Sequence, residues 1–379
     1  MINYKKDERK KIDELSSIKL NRAKSKYHDN SLSLTIAPTL DCNMCCPYCY
    51  EDKNKTVMSE EIQNKLIDFV ERHLKDYPNI ESFTVTWYGG EPLLQKEIIY
   101  NLSRELIKLC DDKQIKYGAG MITNGILLDR ETAECLANDC KVSYIQITVD
   151  GMREQHNKSR ILIGKGDSFG IIMKNIEDCK DILSIAIRTN VDRKNIKEIE
   201  KLTKYFLQEK KFIDNPRFYL APVENYSEND IFNGGDYLYI DEFSELDTKC
   251  LKLCYTYNKE NMIRGLYPQR RSINCSAEKT LTYVIDPDGD YYTCWLRIGK
   301  KECSIGNLSR PLTVTSEYSK WLFGKLHEKC KQCQYLPLCQ GGCAARRMDE
   351  GGEPRCPHSL YTYKEKLKLA YEDYASKKA

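Results

Sequence analysis

The residues best able to do chemistry lie in one octet, Cys42-Asn43-Met44-Cys45-Cys46-Pro47-Tyr48-Cys49, followed by Tyr50-Glu51. Cys42, Cys46 and Cys49 are separated by three and then two residues, so a short irregular loop can turn all three sulfurs inward. Thiolates hold iron–sulfur clusters. Three of them on a [4Fe-4S] cube leave one iron without a protein donor. In zinc enzymes an open position marks a catalytic site and a closed set a structural one. The octet alone also fits a structural zinc knot or buried thiols. Cys45 lies off the spacing and is read as a non-ligand.

A second concentration of thiols follows in the last third of the chain. Cys275 precedes Gly289-x4-Cys294, then Cys330-x2-Cys333-x5-Cys339-x3-Cys343, and finally Cys356. Asp286-Pro287-Asp288-Gly289 has the composition of a hairpin turn, which places Cys294 on the second strand. By spacing alone, the Cys330–Cys343 group suits either one all-thiolate zinc or a cluster. Cys110, Cys135, Cys140 and Cys179 fall within helical or strand patterns and read as small buried hydrophobes. Cys250 and Cys254, one helical turn apart, read as core.

The elements that must position these residues form a β/α rhythm. Leu32, Leu34 and Ile36 alternate in a strand that runs into the octet. Ser59 is a helix N-cap with Glu60 and Glu61 in the first turn, and Ile62, Leu66, Phe69, Val70 and Leu74 line one helical face. Phe83, Val85 and Trp87 alternate up to Gly89-Gly90-Glu91-Pro92, with a helix over 96–110. A third strand ends at Thr123-Asn124-Gly125 before a helix over 129–138. The fourth, 142–148, ends at Asp150-Gly151. The fifth, 183–190, carries Arg188 and Asn190 and precedes a helix with Ile196, Ile199 and Leu202; the sixth is 218–222. Alternation of this kind predicts a parallel sheet with right-handed crossovers, its reactive loops gathered at the strands' carboxyl ends. Every motif just named falls at such an end. The first thirty residues, with apolar spacing at Ile12, Leu15, Ile18 and Leu20, read as a surface helix and linker. Residues 361–379 read as an exposed amphipathic helix. The second Gly-Gly-Glu-Pro, 351–354, follows no strand and reads as a turn, and Asn233-Gly234-Gly235-Asp236 reads as a loop.

Composition bounds the rest. The chain has 379 residues, 41% hydrophobic and 30% charged, with a net charge of +3, which argues for neither nucleic-acid nor membrane binding. It shows no apolar run of membrane-spanning length and no signal core at its start, so a cytoplasmic location is expected. In a reducing compartment, 18 cysteines beside five histidines point to thiolate ligation rather than disulfides. The 26 tyrosines suit amphipathic packing.

The octet resembles the signature of the radical SAM enzymes, with Tyr48 between the last two cysteines. The resemblance implies a partial (β/α)6 TIM-type barrel and S-adenosylmethionine chelated by the open iron. One-electron cleavage of S-adenosylmethionine would then give a 5′-deoxyadenosyl radical. By the same resemblance Tyr48, Gly89, Gly90, Glu91, Pro92, Asn124, Thr148 and Asp150 would form the S-adenosylmethionine pocket. Arg188 and Asn190 would hold the methionine carboxylate, for which the fork of Arg donors is suited. The later cysteines resemble the SPASM extension, a small cysteine-rich domain with two auxiliary [4Fe-4S] clusters. That assigns Cys275, Cys294 and Cys343 to the first, one ligand short, with Cys303 the nearest spare thiol. Cys330, Cys333, Cys339 and Cys356 would ligate the second. With the cluster of the octet this makes three clusters.

The organisation expected is an N-terminal segment 1–30, a radical SAM barrel 31–225, a bridge 226–269, a SPASM domain 270–360 and a C-terminal helix 361–379. SPASM proteins mostly modify peptides, so the resemblance implies an oxidoreductase acting on a ribosomally made precursor under anaerobic conditions, forming a thioether or other side-chain crosslink (RiPP maturation). A flavodoxin or ferredoxin would supply electrons. With no room for a recognition domain before residue 31, either a separate leader-peptide recognition protein or direct binding of the leader to the bridge is expected. The alternative within the family is the anaerobic sulfatase-maturating enzyme, which makes formylglycine. Those enzymes carry an Asp base directly after the Gly-x4-Cys cysteine, where this chain has Trp295, so no catalytic base is named. A multi-cluster electron-transfer protein is the rival of another class, and S-adenosylmethionine cleavage on reduction separates the two.

Overall fold

The computed structural model describes residues 13–224, 236–348, 354 and 356–377. The elements run α1 (Glu14–Lys26), β1 (Ser31–Ile36), α2 (Glu60–Asp76), β2 (Ser82–Trp87), α3 (Lys96–Asp112), β3 (Lys116–Thr123), α4 (Arg130–Asn138) and β4 (Val142–Thr148). Next come α5 (Arg153–Ser159), α6 (Ser168–Cys179), β5 (Ser184–Val191), α7 (Ile199–Lys204), β6 (Arg217–Pro222), α8 (Ile240–Tyr257) and α9 (Lys259–Leu266). The last third holds β7 (Thr282–Ile285), β8 (Asp290–Tyr292), β9 (Gly306–Asn307), α10 (Ser316–Phe323), α11 (Glu328–Lys331), α12 (Leu336–Cys339), α13 (Ala344–Met348) and α14 (Ser359–Ser376).

The local signals act where the pattern puts them. Ser59 accepts a hydrogen bond from Ile62 N at the start of α2, and Leu66, Phe69, Val70 and Leu74 are buried beneath it. Leu32, Leu34 and Ile36 turn into the core on β1, as do Phe83, Val85 and Trp87 on β2, because successive strand residues point to opposite faces. Six parallel strands follow the order β6-β5-β4-β3-β2-β1, and the sheet does not stop there. β7 pairs in parallel with β1, Ser33 opposite Thr282 through Ile36 opposite Ile285, and β8 and β9 extend the sheet antiparallel to nine strands. The cysteine-rich region therefore grows from the barrel's own sheet.

Two expectations are corrected. The N-terminal helix is not a solvated one: α1 docks on the C-terminal region, with Arg22 and Lys26 buried and Lys26 Nζ donating to Trp321 O at 2.6 Å. Leu15 and Ile18 pack against Leu326, Cys330 and Leu336, while Leu20 points outward at 56% exposure. Ile12 lies outside the described residues. The C-terminal helix α14 is not a free exposed helix either: Leu369 and Ala370 pack on Leu266 of α9, and Glu365 pairs with Lys252 of α8. Residues 351–353 and 233–235, read as a turn and a loop, lie outside the described residues. Cys110, Cys140, Cys179 and Cys250 are buried as expected, and Cys135 and Cys254 are half-buried. Among the described residues no helix is long and apolar enough to cross a membrane.

Candidate active site

The cysteine loop leaves the carboxyl end of β1, which is gripped on both sides: Tyr88 N donates to Ile36 O and Ala37 N to Ile285 O, each at 2.9 Å. Its base closes through Met58 N to Pro38 O at 2.9 Å and Thr39 Oγ1 to Thr56 O at 2.7 Å. Its middle is pinned by the segment after α5, with Cys45 N to Ile161 O at 2.7 Å and Ile163 N to Asn43 O at 2.9 Å. Cys42, Cys46 and Cys49 line a cavity of about 390 Å³, whereas Cys45 is exposed.

Gly89 and Gly90 line the cavity and press against this loop. Gly90 N donates to Thr39 O at 3.3 Å and Glu91 N to Asp41 O at 2.8 Å. A Cβ on Gly89, whose φ is +115°, would stand 2.3 Å from Thr39 O; one on Gly90 would stand 2.2 Å from Asp41 O. Glu91 is fully buried, its carboxylate accepting from Leu93 N at 2.9 Å, Thr123 Oγ1 at 2.8 Å and Asn124 N at 2.7 Å. Burial pushes its pKa up, and these bonds pull against that. Pro92 opens the single helical turn that follows. The motif is thus a clasp joining β2, β3 and the cysteine loop. Asn124 completes it, donating to Asn43 Oδ1 at 2.6 Å and lying 3.9 Å from Cys42 Sγ.

Tyr48 is the hub of a second clasp. Its hydroxyl donates to the Asp150 carboxylate and accepts from Arg160 Nη1 at 2.9 Å and Asn190 Nδ2 at 3.4 Å. Asp150 is fully buried behind this layer and accepts from Asn190 N at 2.8 Å. Arg188 Nε donates to Asn190 Oδ1 at 2.7 Å, and Arg188, Asn190 and Thr148 line the cavity. Arg160 lines it too, buried, with Nε unpartnered, and sequence reasoning missed it. An arginine in the loop after α5 carries no periodic signal; the only hint was its nearness to the Asp150-Gly151 turn.

The opposite wall of the same cavity carries Cys275, Cys294 and Cys343. β8 ends at Tyr292, so Cys294 stands beyond the strand on which it was expected, at the head of the helical turn Trp295–Arg297. Asn274 Nδ2 donates to Gly342 O at 2.8 Å, fastening the segment before Cys275 to that before Cys343. Beneath lies a buried knot of charge: Glu278 pairs with Arg22 of α1 and, at 2.6 Å, with Arg347 of α13. Cys303 stands apart from this set, packed against the cluster around Leu40 and Tyr292 with its sulfur 3.9 Å from Arg297 Nη1. Cys330 lies near Cys339, Cys356 and Cys333, which with burial push its thiol pKa up.

The donor chemistry fits an iron–sulfur group. Burial pushes the Cys49 and Cys294 thiols up to about 12 and raises Cys42 and Cys275, so thiolates there require the positive charge that iron brings. Among the described residues no three Cys, His, Asp or Glu converge on a single metal ion, and a cluster spreads its ligands more widely than one ion does.

Residues 36–206 match the family model of the radical SAM superfamily, so the chain carries a radical SAM domain there. The family implies S-adenosylmethionine and a [4Fe-4S] cluster. The chain is 27% identical over 376 residues to a cysteine-type anaerobic sulfatase-maturating enzyme of Clostridium perfringens, covering 90% of this chain and 96% of that protein. Native anSMEcpe with bound AdoMet superposes with a TM-score of 0.70 at 22% identity, over 91% of this chain and 98% of that one. SuiB of Streptococcus suis bound to precursor peptide SuiA gives 0.60 at 16% identity, over 90% and 79%. The fold, a partial parallel barrel with a cysteine-rich SPASM-like region, is the one these structures share.

Proposed function

We propose that the protein is a radical SAM maturase that oxidises a ribosomally made precursor peptide to a thioether or other side-chain crosslink. The observation that carries this reading is the single cavity walled by Cys42, Cys46 and Cys49 on one side and by Cys275, Cys294 and Cys343 on the other. A peptide side chain inserted there meets both sets at once. Cys42, Cys46 and Cys49 would hold the [4Fe-4S] cluster that, with S-adenosylmethionine bound, supplies the hydrogen-abstracting radical. Cys275, Cys294 and Cys343 would hold a first auxiliary cluster, and Cys330, Cys333, Cys339 and Cys356 a second. Arg188, kept in orientation by Asn190, offers its guanidinium to the methionine carboxylate, while Thr148 and Asn124 line the same pocket. Asp150, Glu91 and Pro92 act from behind, holding Tyr48, Asn124 and the glycine turn in place. The substrate class draws support from SuiB, which was solved with a precursor peptide. A flavodoxin or ferredoxin would deliver electrons, and a separate protein would recognise the leader.

A second reading, formylglycine formation, is favoured by the sulfatase-maturating relative that aligns over nearly its whole length. Trp295, an indole where those enzymes place their carboxylate base, speaks against it. The test is anaerobic co-expression with a small Cys-containing peptide, read by intact mass. Loss of two hydrogens per crosslink together with loss of an alkylatable thiol is expected. A mass matching an aldehyde moves the assignment to formylglycine, and an unchanged mass with no solvent deuterium incorporated overturns both.

A further inference from the structure

Between the two cysteine sets stands a run of three aromatic side chains whose ends are covalent neighbours of a cysteine. Tyr50 follows Cys49, and its hydroxyl is hydrogen-bonded to that of Tyr88. The Tyr88 ring lies 5.5 Å from that of Trp295, centroid to centroid, tilted by 42°. Trp295 in turn follows Cys294. All three line the cavity. Tyr88 is held firmly, 7% exposed and hydrogen-bonded through its backbone to the end of β1.

We propose that Tyr50, Tyr88 and Trp295 form the path by which an electron crosses between the site of Cys42, Cys46 and Cys49 and the site of Cys275, Cys294 and Cys343. The inference rests on the peptide-oxidising reading given above. Each link from Cys49 to Cys294 is a covalent bond, a hydrogen bond or a ring contact. Electron transfer through such packed, bonded material is far less attenuated than transfer across solvent. The rings are a medium and are not themselves oxidised, since iron–sulfur couples are far too weak as oxidants.

The balance closes on this route. Abstraction of one hydrogen atom leaves a substrate radical, and closing the new bond releases one proton to solvent and one electron. An iron–sulfur group held by Cys275, Cys294 and Cys343 would take up that electron. By way of Trp295, Tyr88 and Tyr50 it would return to the group held by Cys42, Cys46 and Cys49, which gives up one electron when S-adenosylmethionine is cleaved. The route also gives Trp295 a use that differs from the proton-accepting role of a carboxylate at that position: it extends the path to the sulfur of its neighbour.

The test needs no peptide. The iron-loaded full chain is reduced by a single photogenerated electron, and the electron's redistribution is followed by freeze-quench electron paramagnetic resonance. S-adenosylmethionine, which changes the spectrum of the cluster it binds, identifies the Cys42–Cys49 signal. Tyr88→Leu is expected to lose the fast redistribution phase while iron content and the line shape of each signal stay as in the wild type; Tyr88→Phe, which keeps the ring contact to Trp295 but removes the hydroxyl link to Tyr50, is expected to slow it to a rate between the two. An unchanged fast phase in Tyr88→Leu overturns the proposal. Should Tyr88→Leu fail to load iron, Trp295→Leu, whose side chain is 42% exposed, carries the same test with the same two outcomes. If the maturase reading is wrong, the wild type leaves peptides unmodified yet keeps the fast phase, so the two failures are distinguishable.

Discussion

The two walls of the cavity are built by different means. The Cys42–Cys49 loop is held chiefly by backbone: β1 is bonded on both edges, and the amides of Gly90 and Glu91 reach across to Thr39 and Asp41. The Cys275–Cys343 wall is held by short helical turns over a buried Arg22–Glu278–Arg347 knot. A wall closed by backbone at such short range does not accept an added side chain. A wall resting on paired charges is instead weakened when one partner is removed, since the others are left buried and unpaired.

The largest effect that probes this contrast is chemical. Cys46→Ala is expected to abolish S-adenosylmethionine cleavage, assayed as 5′-deoxyadenosine. Cys333→Ala is expected to spare cleavage and abolish modified peptide. Equal losses in both assays would erase the distinction between the Cys42–Cys49 site and the C-terminal cysteine sites. Next comes Glu278→Ala, which strands two buried arginines and should cost about 3–5 kcal/mol in urea unfolding. Iron should be lost from the C-terminal sites while the Cys42–Cys49 site remains loaded.

Gly90→Ala inverts that pattern. The added methyl meets a backbone oxygen, and overpacking of this kind costs about 1–3 kcal/mol. The iron lost should now be that of the Cys42–Cys49 site, measured as loss of the signal that responds to S-adenosylmethionine. The smallest effect is a pH slope. His156 is buried beside Arg160 and accepts from Asp150 N at 3.2 Å, so its pKa lies well below the ordinary 6.5. Below that value the unfolded chain binds a proton that the folded chain refuses, so stability rises with pH there and is lost as pH falls. The contribution is at most about 1.4 kcal/mol per pH unit. Wild type and His156→Asn should differ in slope between pH 6.5 and 5 and run parallel above; equal slopes throughout would remove His156 from the account.

The strands and the α2 cap were legible because alternation and N-cap chemistry are local. The clustering of the octet, Gly-Gly-Glu-Pro, Asn124, Thr148 and Arg188 followed from parallel topology, which puts every such turn at one end of the sheet. What escaped was non-local. The Leu281–Ile285 run announces a strand but not its partner, since nothing in it points to Ser33–Ile36. Nothing in the segment read as a surface helix announces that Arg22 and Lys26 are buried, because such residues are seldom buried without partners and their partners lie far along the chain. Gly89 and Gly90 stand out in the sequence as a motif after a strand, but nothing local to them shows that residues 39–41 press against them.

The pairing of β1 with β7 has a consequence for synthesis. The ribosome delivers Ile36 long before Thr282, and at about 5–20 residues per second the interval is tens of seconds. Throughout it the nascent barrel carries β1 as an open edge of unpaired amides and carbonyls, the kind of edge that recruits strands from other chains. Overproduction that crowds polysomes therefore selects for inclusion bodies made of half-finished barrels, and slowing initiation, rather than lowering temperature after release, is the remedy that this topology favours.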